Sequence, residues 1–368
     1  MAYSSIVKPS VHFNTYLYTG NGATSTAGTT ARTLTGVGFQ PDWVWVKERS
    51  NTEQHFLQDA VRGASKVISS NTAAAETDVL TGYSDGGING FVSDGFTLGS
   101  GTGGNANNIN TNNETYVAWN WKANGQGSSN TDGSINTTYT SANTTSGISI
   151  IKYTGNGSNA TVGHGLGVAP KMVMVKSTSH ATDFMVGHDG LDLAGGNPWH
   201  KYIYLNDPSG EADANTFWND TAPTSSLVNL GTHSYVNQSN RIYIMYAFAE
   251  KKGYCKMGNY KGNGNANGTF VYCGFKPAMI MIKFAGSSNW RIFDSKRIGY
   301  NIDNNPLFPN VNLAEGTDDN IDILSNGFKF RTTDGALNGS GNAYIFTAFA
   351  EQPLVANSGT DGVPATAR

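Results

Sequence analysis

The sequence predicts an all-β protein made of three tandem, homologous β-sandwich domains of jelly-roll or concanavalin-like type. Short β-rich segments separated by Gly and Asn occur throughout the 368 residues, and one set of motifs recurs three times in the same order. Charged residues make up only 14 % of the chain, and no window of a dozen residues repeats apolar positions at helical spacing. Strands joined by Gly/Asn turns are therefore expected in each domain.

The first motif is a glycine-rich turn after a tyrosine. It reads YTGNG at residues 18–22 and 153–157, and YKGNG at residues 260–264. A phosphate-binding loop would need Gly-x-Gly-x-x-Gly at the start of a helix, but the sixth position holds Ser, Ala or Asn and no helical pattern follows. Because Gly and Asn adopt positive φ at low cost, each turn is predicted to connect two strands.

Each turn is followed by the same series of segments. A Gly-x-x-Pro step leads into a strand that ends in lysine, and a strand with an acid, a lone glutamate, a penultimate strand and a long aromatic strand follow. The lysine-terminated segments read GFQPDWVWVK, GVAPKMVMVK and GFKPAMIMIK, and the closing segments read YVAWNWKA, IYIMYAFAE and YIFTAFAE. Each copy is longer than the roughly 20–50 residues of a solenoid unit and matches a self-sufficient domain.

These motifs divide the chain into five segments. We expect an N-terminal arm plus the first sandwich at residues 1–123, a Gly/Ser/Asn/Thr linker at 124–147, a second sandwich at 148–252, a third at 253–352 and a C-terminal tail at 353–368.

Four tryptophans occupy alternate positions in two strands of the first copy. They are Trp43 and Trp45 in the lysine-terminated strand, and Trp119 and Trp121 in the closing strand. Both faces of the first strand are apolar, which predicts a strand covered on two sides or lying at an interface. The favoured interpretation is that the four rings belong to the core. In the alternative they form a platform on which sugar rings stack, and this makes them the candidate ligand-binding residues.

Acids and arginines also recur at matching positions. Acids repeated in every copy are more often structural, since they hold a turn or pair with a nearby arginine. A catalytic pair would have to lie roughly 5–9 Å apart across a cleft, as in glycan hydrolases, and this alternative stays open. The recurrent structural acids and arginines are Asp59, Arg62 and Glu76 in copy one, Asp189 and Glu211 in copy two, and Asp294, Arg297 and Glu315 in copy three.

The motifs of common enzymes and metal sites are missing from the sequence. None of the seven histidines has zinc-site spacing, and no Gly-x-Ser-x-Gly elbow occurs. Cys255 and Cys273 are predicted to be buried thiols. The loop at residues 317–322, TDDNID, could bind calcium but lacks EF-hand spacing, so a solvated loop is expected. We expect no catalytic residue, no metal, no cofactor and no enzymatic activity.

Charge and hydropathy restrict the partners. The net charge of −3 gives no electrostatic footprint for nucleic acid. No apolar run approaches 18 residues, which predicts no membrane insertion, and the first residues lack the pattern of a secretory signal.

The motifs LYTGNG, VGFQPDWVWVKER, LQDAVRG, SDGFTLG and YVAWNWKA resemble a family of repeat proteins common in marine tailed bacteriophages, notably cyanophages. The last segment, YIFTAFAEQPLVANSGTDGVPATAR, is similar to the C-terminus of that family. Copy two departs most, with Met172 and Met174 in place of tryptophans and no counterpart of Arg62, so the resemblance does not imply that all three domains bind the same ligand.

The resemblance implies a virion structural protein with lectin-like domains, usually a tail or tail-fibre component, assembled in the host cytoplasm. The expected partners are other virion proteins of the tail or capsid, and a host cell-surface glycan through adhesion. Tail and fibre proteins are often trimeric, so a homotrimer is favoured, although three domains could also form a pseudo-threefold platform within one chain. Two alternatives remain: a capsid decoration or cement protein lashed by residues 1–10 and 353–368, and a glycan depolymerase.

Overall fold

A computed structural model of the chain describes residues 4, 6–104, 107–193, 195–297, 301, 305–317 and 320–355. Strands make up 41 % of the structure and helices 5 %, which confirms the all-β prediction. Among the described residues, no helix is long and apolar enough to cross a membrane. The name repeat 1 is used below for strands β1–β9, repeat 2 for β10–β18 and repeat 3 for β19–β25.

The strands follow the order of the sequence motifs. Repeat 1 contains β1 (Phe13–Thr19), β2 (Thr30–Thr35), β3 (Trp43–Glu48), β4 (Phe56–Asp59), β5 (Gly63–Ile68), β6 (Thr77–Asp78), β7 (Gly87–Val92), β8 (Gly95–Gly99) and β9 (Thr115–Trp121). Repeat 2 contains β10 (Tyr139–Asn143), β11 (Ile148–Thr154), β12 (Ala160–Gly163), β13 (Met172–Ser177), β14 (Met185–His188), β15 (Lys201–Tyr204), β16 (Ala212–Asp213), β17 (Leu227–Leu230) and β18 (Ile242–Phe248). Repeat 3 contains β19 (Cys255–Lys261), β20 (Phe270–Tyr272), β21 (Phe275–Phe284), β22 (Arg291–Asp294), β23 (Ile321–Leu324), β24 (Gly327–Phe330) and β25 (Ala343–Pro353).

Helices are single turns. The α-helical turns are α1 (Asn215–Trp218) and α2 (Ser234–Asn237), both in repeat 2, and 3₁₀ turns lie at Pro9–Val11, Asn107–Ile109 and Pro198–His200.

Each repeat forms one large and one small antiparallel sheet. The large sheets have the strand orders β1-β9-β3-β4-β5-β6, β10-β11-β18-β13-β14-β15-β16 and β19-β25-β21-β22. The small sheets have the orders β2-β8-β7, β12-β17 and β20-β24-β23. In every large sheet the closing aromatic strand therefore lies between the strand of the glycine turn and the lysine-terminated strand. This order of three neighbouring strands occurs in all three large sheets.

The three large sheets meet in a shared core. Trp43 on β3, Met172 on β13 and Met279 on β21 belong to one continuous apolar cluster, and all three are at most 2 % exposed. On the opposite faces of these strands, Val44 and Val173 pack in separate cores inside their own repeats. β3 and β13 are buried along their whole length, as the apolar pattern on both faces predicts. The core at the meeting of the three large sheets is called the central core below.

Equivalent hydrogen bonds join the repeats in a cycle. The backbone N–H of Glu76 in repeat 1 donates to the carbonyl of Thr178 in repeat 2 at 3.0 Å, and that of Glu211 donates to Ala285 in repeat 3 at 2.7 Å. The cycle closes where the N–H of Glu315 donates to the carbonyl of Arg49 in repeat 1 at 2.8 Å. The contacts between the three repeats thus form a closed cycle, which is called the ring below.

Two of the expected segments contain packed residues that composition alone did not indicate. Residues 124–147 do not form a free linker, because β10 pairs with β11 and the side chain of Ile135 is buried. In the described part of the N-terminal arm, Ile6 is 3 % exposed and belongs to the central core. Of the tail at residues 353–368, only residues 353–355 are described.

Candidate functional site

The four tryptophans lie inside the ring. Trp43, Trp45, Trp119 and Trp121 are at most 2 % exposed. The ring of Trp43 stacks on that of Trp121 at 4.2 Å and on that of Tyr246 from repeat 2 at 4.4 Å. Their faces are covered by the protein itself, so the structure supports the core interpretation and not the sugar-stacking platform.

The glycine turns are held by buried asparagines. In repeat 1, the N–H of Asn21 donates to Oδ1 of Asn110 at 3.2 Å, and Nδ2 of Asn110 donates back to Oδ1 of Asn21 at 2.9 Å. Asn156 with Asn237, and Asn263 with Asn338, form the same reciprocal pair in repeats 2 and 3. Each second asparagine has no exposed surface. This contact is called the asparagine clasp below.

Tyrosines complete each clasp. Tyr18 donates its hydroxyl to the carbonyl of Ile109, the residue before the buried Asn110, at 2.8 Å. Its ring stacks on that of Tyr116 at 4.9 Å, and the hydroxyl of Tyr116 accepts the N–H of Thr111 at 3.0 Å. The same ring stacking occurs in repeat 2 at 5.3 Å and in repeat 3 at 4.8 Å. The YxGNG motif therefore closes the end of each large sheet.

Backbone geometry explains the two glycines of the motif. A Cβ atom at Gly20 would lie 1.9 Å from the carbonyl oxygen of Thr111, and one at Gly155 would lie 2.4 Å from that of Gln238. The second glycine of each turn has a positive φ, such as +61° at Gly22, which L-residues rarely adopt. The turn is a fold element, as the sequence predicted.

In repeat 1, Arg62 joins the two predicted acids. Its Nε donates to Oδ2 of Asp59 at 2.5 Å, and its Nη1 donates to Oε2 of Glu76 at 3.2 Å. The same Asp59 oxygen accepts the hydroxyl of Tyr246 from repeat 2 at 2.7 Å. Arg62 and Asp59 have side chains with no exposed surface. This cluster ties repeat 1 to repeat 2.

Repeat 3 reproduces the cluster atom for atom. Nε of Arg297 donates to Oδ2 of Asp294 at 2.7 Å, and Nη1 donates to Oε2 of Glu315 at 3.0 Å. Oδ2 of Asp294 accepts the indole N–H of Trp119 from repeat 1 at 3.0 Å. Arg49 of repeat 1 adds a two-pronged contact to Glu315 at 2.8 and 3.0 Å. Repeat 3 is thereby tied back to repeat 1.

Repeat 2 corrects the predicted alignment of the acids. The strand register places Asp59 opposite Trp43 and Asp294 opposite Met279, but it places His188, not Asp189, opposite Met172. Asp189 instead pairs with Lys171 at the surface, at 2.7 Å. The position of Glu211 does match that of Glu76 and Glu315, as the three backbone hydrogen bonds of the ring show.

His188 makes the third junction of the ring. Its Nε2 lies 3.2 Å from the carbonyl oxygen of Phe346 and 3.3 Å from the hydroxyl of Thr347, both in repeat 3. Burial lowers the pKa of His188 to about 4, so its imidazole is neutral at pH 7. Where repeats 1 and 3 use an ion cluster, repeat 2 uses a neutral imidazole.

Three buried lysines lie at equivalent positions of the three repeats. The lysine that ends each repeated strand, Lys47, Lys176 or Lys283, has no exposed surface and donates to backbone carbonyls. Lys176 reaches the carbonyl of Thr72 in repeat 1, and Lys283 that of Pro208 in repeat 2. Burial lowers the pKa of each to about 8. The sequence marked these lysines as recurrent but gave no reason for them.

The remaining candidates have structural surroundings or lie outside the described residues. Cys255 and Cys273 are buried and free, at 2 % and 5 % exposure, and burial raises the pKa of the Cys255 thiol to about 12. In the loop at residues 317–322, Asp318 and Asp319 are outside the described residues. Within the part of the chain that is described, no group of three or more His, Cys, Asp and Glu side chains could hold a metal ion.

A family described as "Domain of unknown function (DUF7483)" matches residues 8–353. The chain belongs to this family. No curated protein matches the chain. The DUF7483 match begins before β1 and ends at Pro353, the last residue of β25. One family unit therefore spans all three repeats and their clasps.

A groove opens on the surface of the DUF7483 protein where repeat 2 passes into repeat 3. Its volume is about 440 Å³. The groove is lined by Glu250, Lys252, Gly253, Cys255, Lys256, Tyr272, Cys273 and Gly274. The sequence gave no indication of it, because Tyr272 lies outside the recurrent motifs. It is called the repeat 3 groove below.

Proposed function

We propose that the chain is a non-enzymatic structural protein of a bacteriophage virion, a tail or tail-fibre component. In this proposal the three repeats are homologous sandwich domains of jelly-roll or concanavalin-like type. The observation that carries the proposal is the closed ring, in which equivalent hydrogen bonds join repeat 1 to 2, repeat 2 to 3 and repeat 3 back to 1. The phage assignment itself is supported by the resemblance of the sequence motifs.

A pseudo-threefold ring gives a single chain the threefold arrangement that fibre and tail proteins commonly obtain by assembling three chains. Its three large sheets already cover each other in the central core. A homotrimer is then unnecessary, and we propose that the isolated protein is a monomer of 39.1 kDa. Light scattering during gel filtration tests this directly. A mass near three times that value would restore the homotrimer that the resemblance favours.

The recurrent ionic residues support a non-enzymatic role. Asp59 and Glu76 share one arginine and are used in joining repeats, and Asp294 and Glu315 do the same. A glycan depolymerase would need a carboxyl pair facing a cleft, with a water or sugar between the two groups. The side chains of Asp59 and Asp294 have no exposed surface. The depolymerase alternative therefore finds no support in these four acids.

The N-terminal arm bears on the capsid decoration alternative. In that reading the arm would be a free segment that lashes neighbouring capsomers. Ile6 lies in the central core, and Ser4 is fully buried and bonded to Ile6. The packing of these two residues favours the tail assignment over the cement assignment.

Purified particles of a phage that carries the gene provide the test. Mass spectrometry is expected to find the chain in particles that stay intact through a density gradient, and immunogold labelling is expected on the tail. Label over the head shell would replace the tail assignment with the decoration alternative. Absence of the chain from gradient-purified particles would overturn the proposal.

A further inference from the structure

Strand β20 in repeat 3 presents two aromatic side chains to solvent. Phe270 is 44 % exposed and Tyr272 is 47 % exposed, while Val271 between them is buried. β20 is an edge strand of its small sheet. Large exposed aromatic residues that share one face commonly mark binding surfaces.

The other repeats show that the fold does not require these aromatics. The buried Val271 of β20 pairs with Phe328 of β24. In repeat 1 the equivalent pair is Leu34 with Phe96. In repeat 2 it is Val162 with Val228. The positions of Phe270 and Tyr272 are then held by Thr33 and Thr35 in repeat 1, and by Thr161 and Gly163 in repeat 2. Two repeats build the same sheet with small or polar residues there.

A lysine peculiar to repeat 3 stands beside Tyr272. Nζ of Lys256 donates to the carbonyl of Tyr272 at 2.9 Å and lies 5.4 Å from the centre of its ring. By register, the equivalent residues are Asn14 in repeat 1 and Ser149 in repeat 2. The aromatic ring and the ammonium group are therefore additions to one repeat, and both line the repeat 3 groove.

The charges of the groove set the chemical class of its ligand. Lys252 and Lys256 supply two cations against the single carboxylate of Glu250. A lysine ammonium has three donors, so Lys256 keeps donors beyond the one given to Tyr272. A ligand that is complementary to the repeat 3 groove has a flat apolar face to pack on the tyrosine ring, an anionic group to pair with the lysines and hydroxyls to donate to the glutamate.

We propose that the repeat 3 groove binds an acidic polysaccharide through a uronic acid residue. The C–H face of the sugar packs on Tyr272, its carboxylate lies against Lys256 and Lys252, and a sugar hydroxyl donates to Glu250. This assignment rests on the proposed tail or tail-fibre function, to which it adds adhesion and a ligand class. It also places adhesion in one repeat, since repeats 1 and 2 lack both the ring and the lysine.

Calorimetry with an alginate hexasaccharide, which consists of uronic acids, tests the proposal, with maltohexaose as the neutral probe. The alginate hexasaccharide is expected to bind and maltohexaose is not. Tyr272→Thr and Lys256→Ser, which install the residues of the other repeats, are each expected to weaken binding at least tenfold. Raising the salt concentration should weaken it further, because exposed charges are screened. Ile242→Thr is the matched control, since Ile242 is an exposed apolar residue of repeat 2 away from the groove, and it should bind as the parent does.

The outcomes that overturn the proposal are clear. They are no heat of binding with the alginate hexasaccharide, equal binding of maltohexaose, or unchanged affinity in Tyr272→Thr. The melting temperatures of the variants establish that each one is folded. The virion proposal is tested separately by the composition of particles. If the protein is present in particles but does not bind the sugar, only the groove assignment is refuted. If the protein binds the sugar but is absent from particles, only the virion assignment is refuted.

Discussion

Two junctions of the ring are charged and the third is neutral. The junctions made by Asp59 and Asp294 bury a carboxylate and an arginine, whereas the junction made by His188 buries an uncharged imidazole. All three reach the closing strand of the next repeat, at Tyr246, Trp119 and Thr347 in turn. These three contacted residues are equivalent by register. The position of Asp59, His188 and Asp294 thus requires a side chain that can form a hydrogen bond to the neighbouring closing strand. A charged carboxylate and a neutral imidazole both meet this requirement.

The charged solution depends on its arginine. A buried ion pair contributes little net stability compared with a well-packed apolar pair, but removing one partner leaves the other charge without compensation. At position 191, where an arginine would stand in repeat 2, the buried side chain is Leu191. Histidine and leucine therefore replace aspartate and arginine together, and the following predictions test this coupling.

The largest effect is expected when the arginine of a charged junction is removed. Arg297→Met leaves Asp294 and Glu315 without their shared partner, and should lower the free energy of unfolding by about 3–5 kcal/mol. Urea denaturation measures the change. Lys171→Met, which breaks the half-exposed pair with Asp189, should cost less than about 1 kcal/mol. Equal losses for the two variants would show that burial does not distinguish these pairs.

A charged residue placed in the neutral junction should be destabilising unless its partner comes with it. His188→Asp puts a carboxylate at a site that lacks an arginine, and should cost about 3 kcal/mol at pH 7. Adding Leu191→Arg supplies a cation at the spacing of Asp59 and Arg62, with Glu211 in the place of Glu76. The double variant should recover at least half of the loss in urea denaturation. A double variant no more stable than His188→Asp alone would refute the proposed coupling.

The asparagine clasps offer a comparison in which all three repeats agree. Asn338→Ala removes the amide that accepts the N–H of Asn263 and donates to its side chain and to two backbone carbonyls. The loss should be about 1–3 kcal/mol, because buried backbone groups lose their partners. Asn159→Ala at an exposed position is the control and should change the urea midpoint little. If Asn338→Ala and Asn159→Ala have the same urea midpoint, the clasp is not a stabilising contact.

The sequence predicted the features that depend on local pattern. Alternating apolar residues and Gly/Asn turns identified the strands and the YxGNG turns, because period-two alternation and positive φ are properties of short segments. The buried asparagines of the clasp were missed although a signal existed. An asparagine lies six residues before the tyrosine of each closing strand, at Asn110, Asn237 and Asn338.

Features that depend on register or on distant contacts could not be predicted. Matching letters aligned Asp189 with Asp59, but a shift of one residue moves a strand position to the other face of the sheet, and His188 occupies the place. The composition of residues 124–147 indicated a linker, yet β10 pairs through backbone groups that any residue carries. Closure of the ring rests on contacts between residues of different repeats that lie far apart in the sequence, such as that between Glu76 and Thr178.

The last expected effect is a dependence of stability on pH that arises from two buried histidines. They are His188 at the neutral junction and His55, whose Nε2 lies 2.9 Å from the carbonyl oxygen of Phe308 in repeat 3. Burial and the nearby Lys47 lower the pKa of His55 to about 3, and burial lowers that of His188 to about 4 although Asp189 opposes the shift. Below about pH 6.5 the unfolded chain binds a proton at each histidine and the folded chain does not. Each histidine should therefore remove about 1.4 kcal/mol of stability per pH unit as the pH falls from about 6.5 toward its folded pKa.

Urea denaturation at pH 7.5, 6.5 and 5.5 measures this dependence, and His188→Asn separates its contribution. The asparagine side chain can still accept the N–H of Gly190, as Nδ1 of His188 does, but it does not titrate. The variant should therefore lose the share of one histidine, about 1.4 kcal/mol per pH unit. Lys171→Met serves as the control, because it changes a charge near Asp189 without touching His188. A slope that is unchanged in His188→Asn would mean that the acid sensitivity arises elsewhere. In that case the His188 junction would be no more sensitive to mild acid than the rest of the protein.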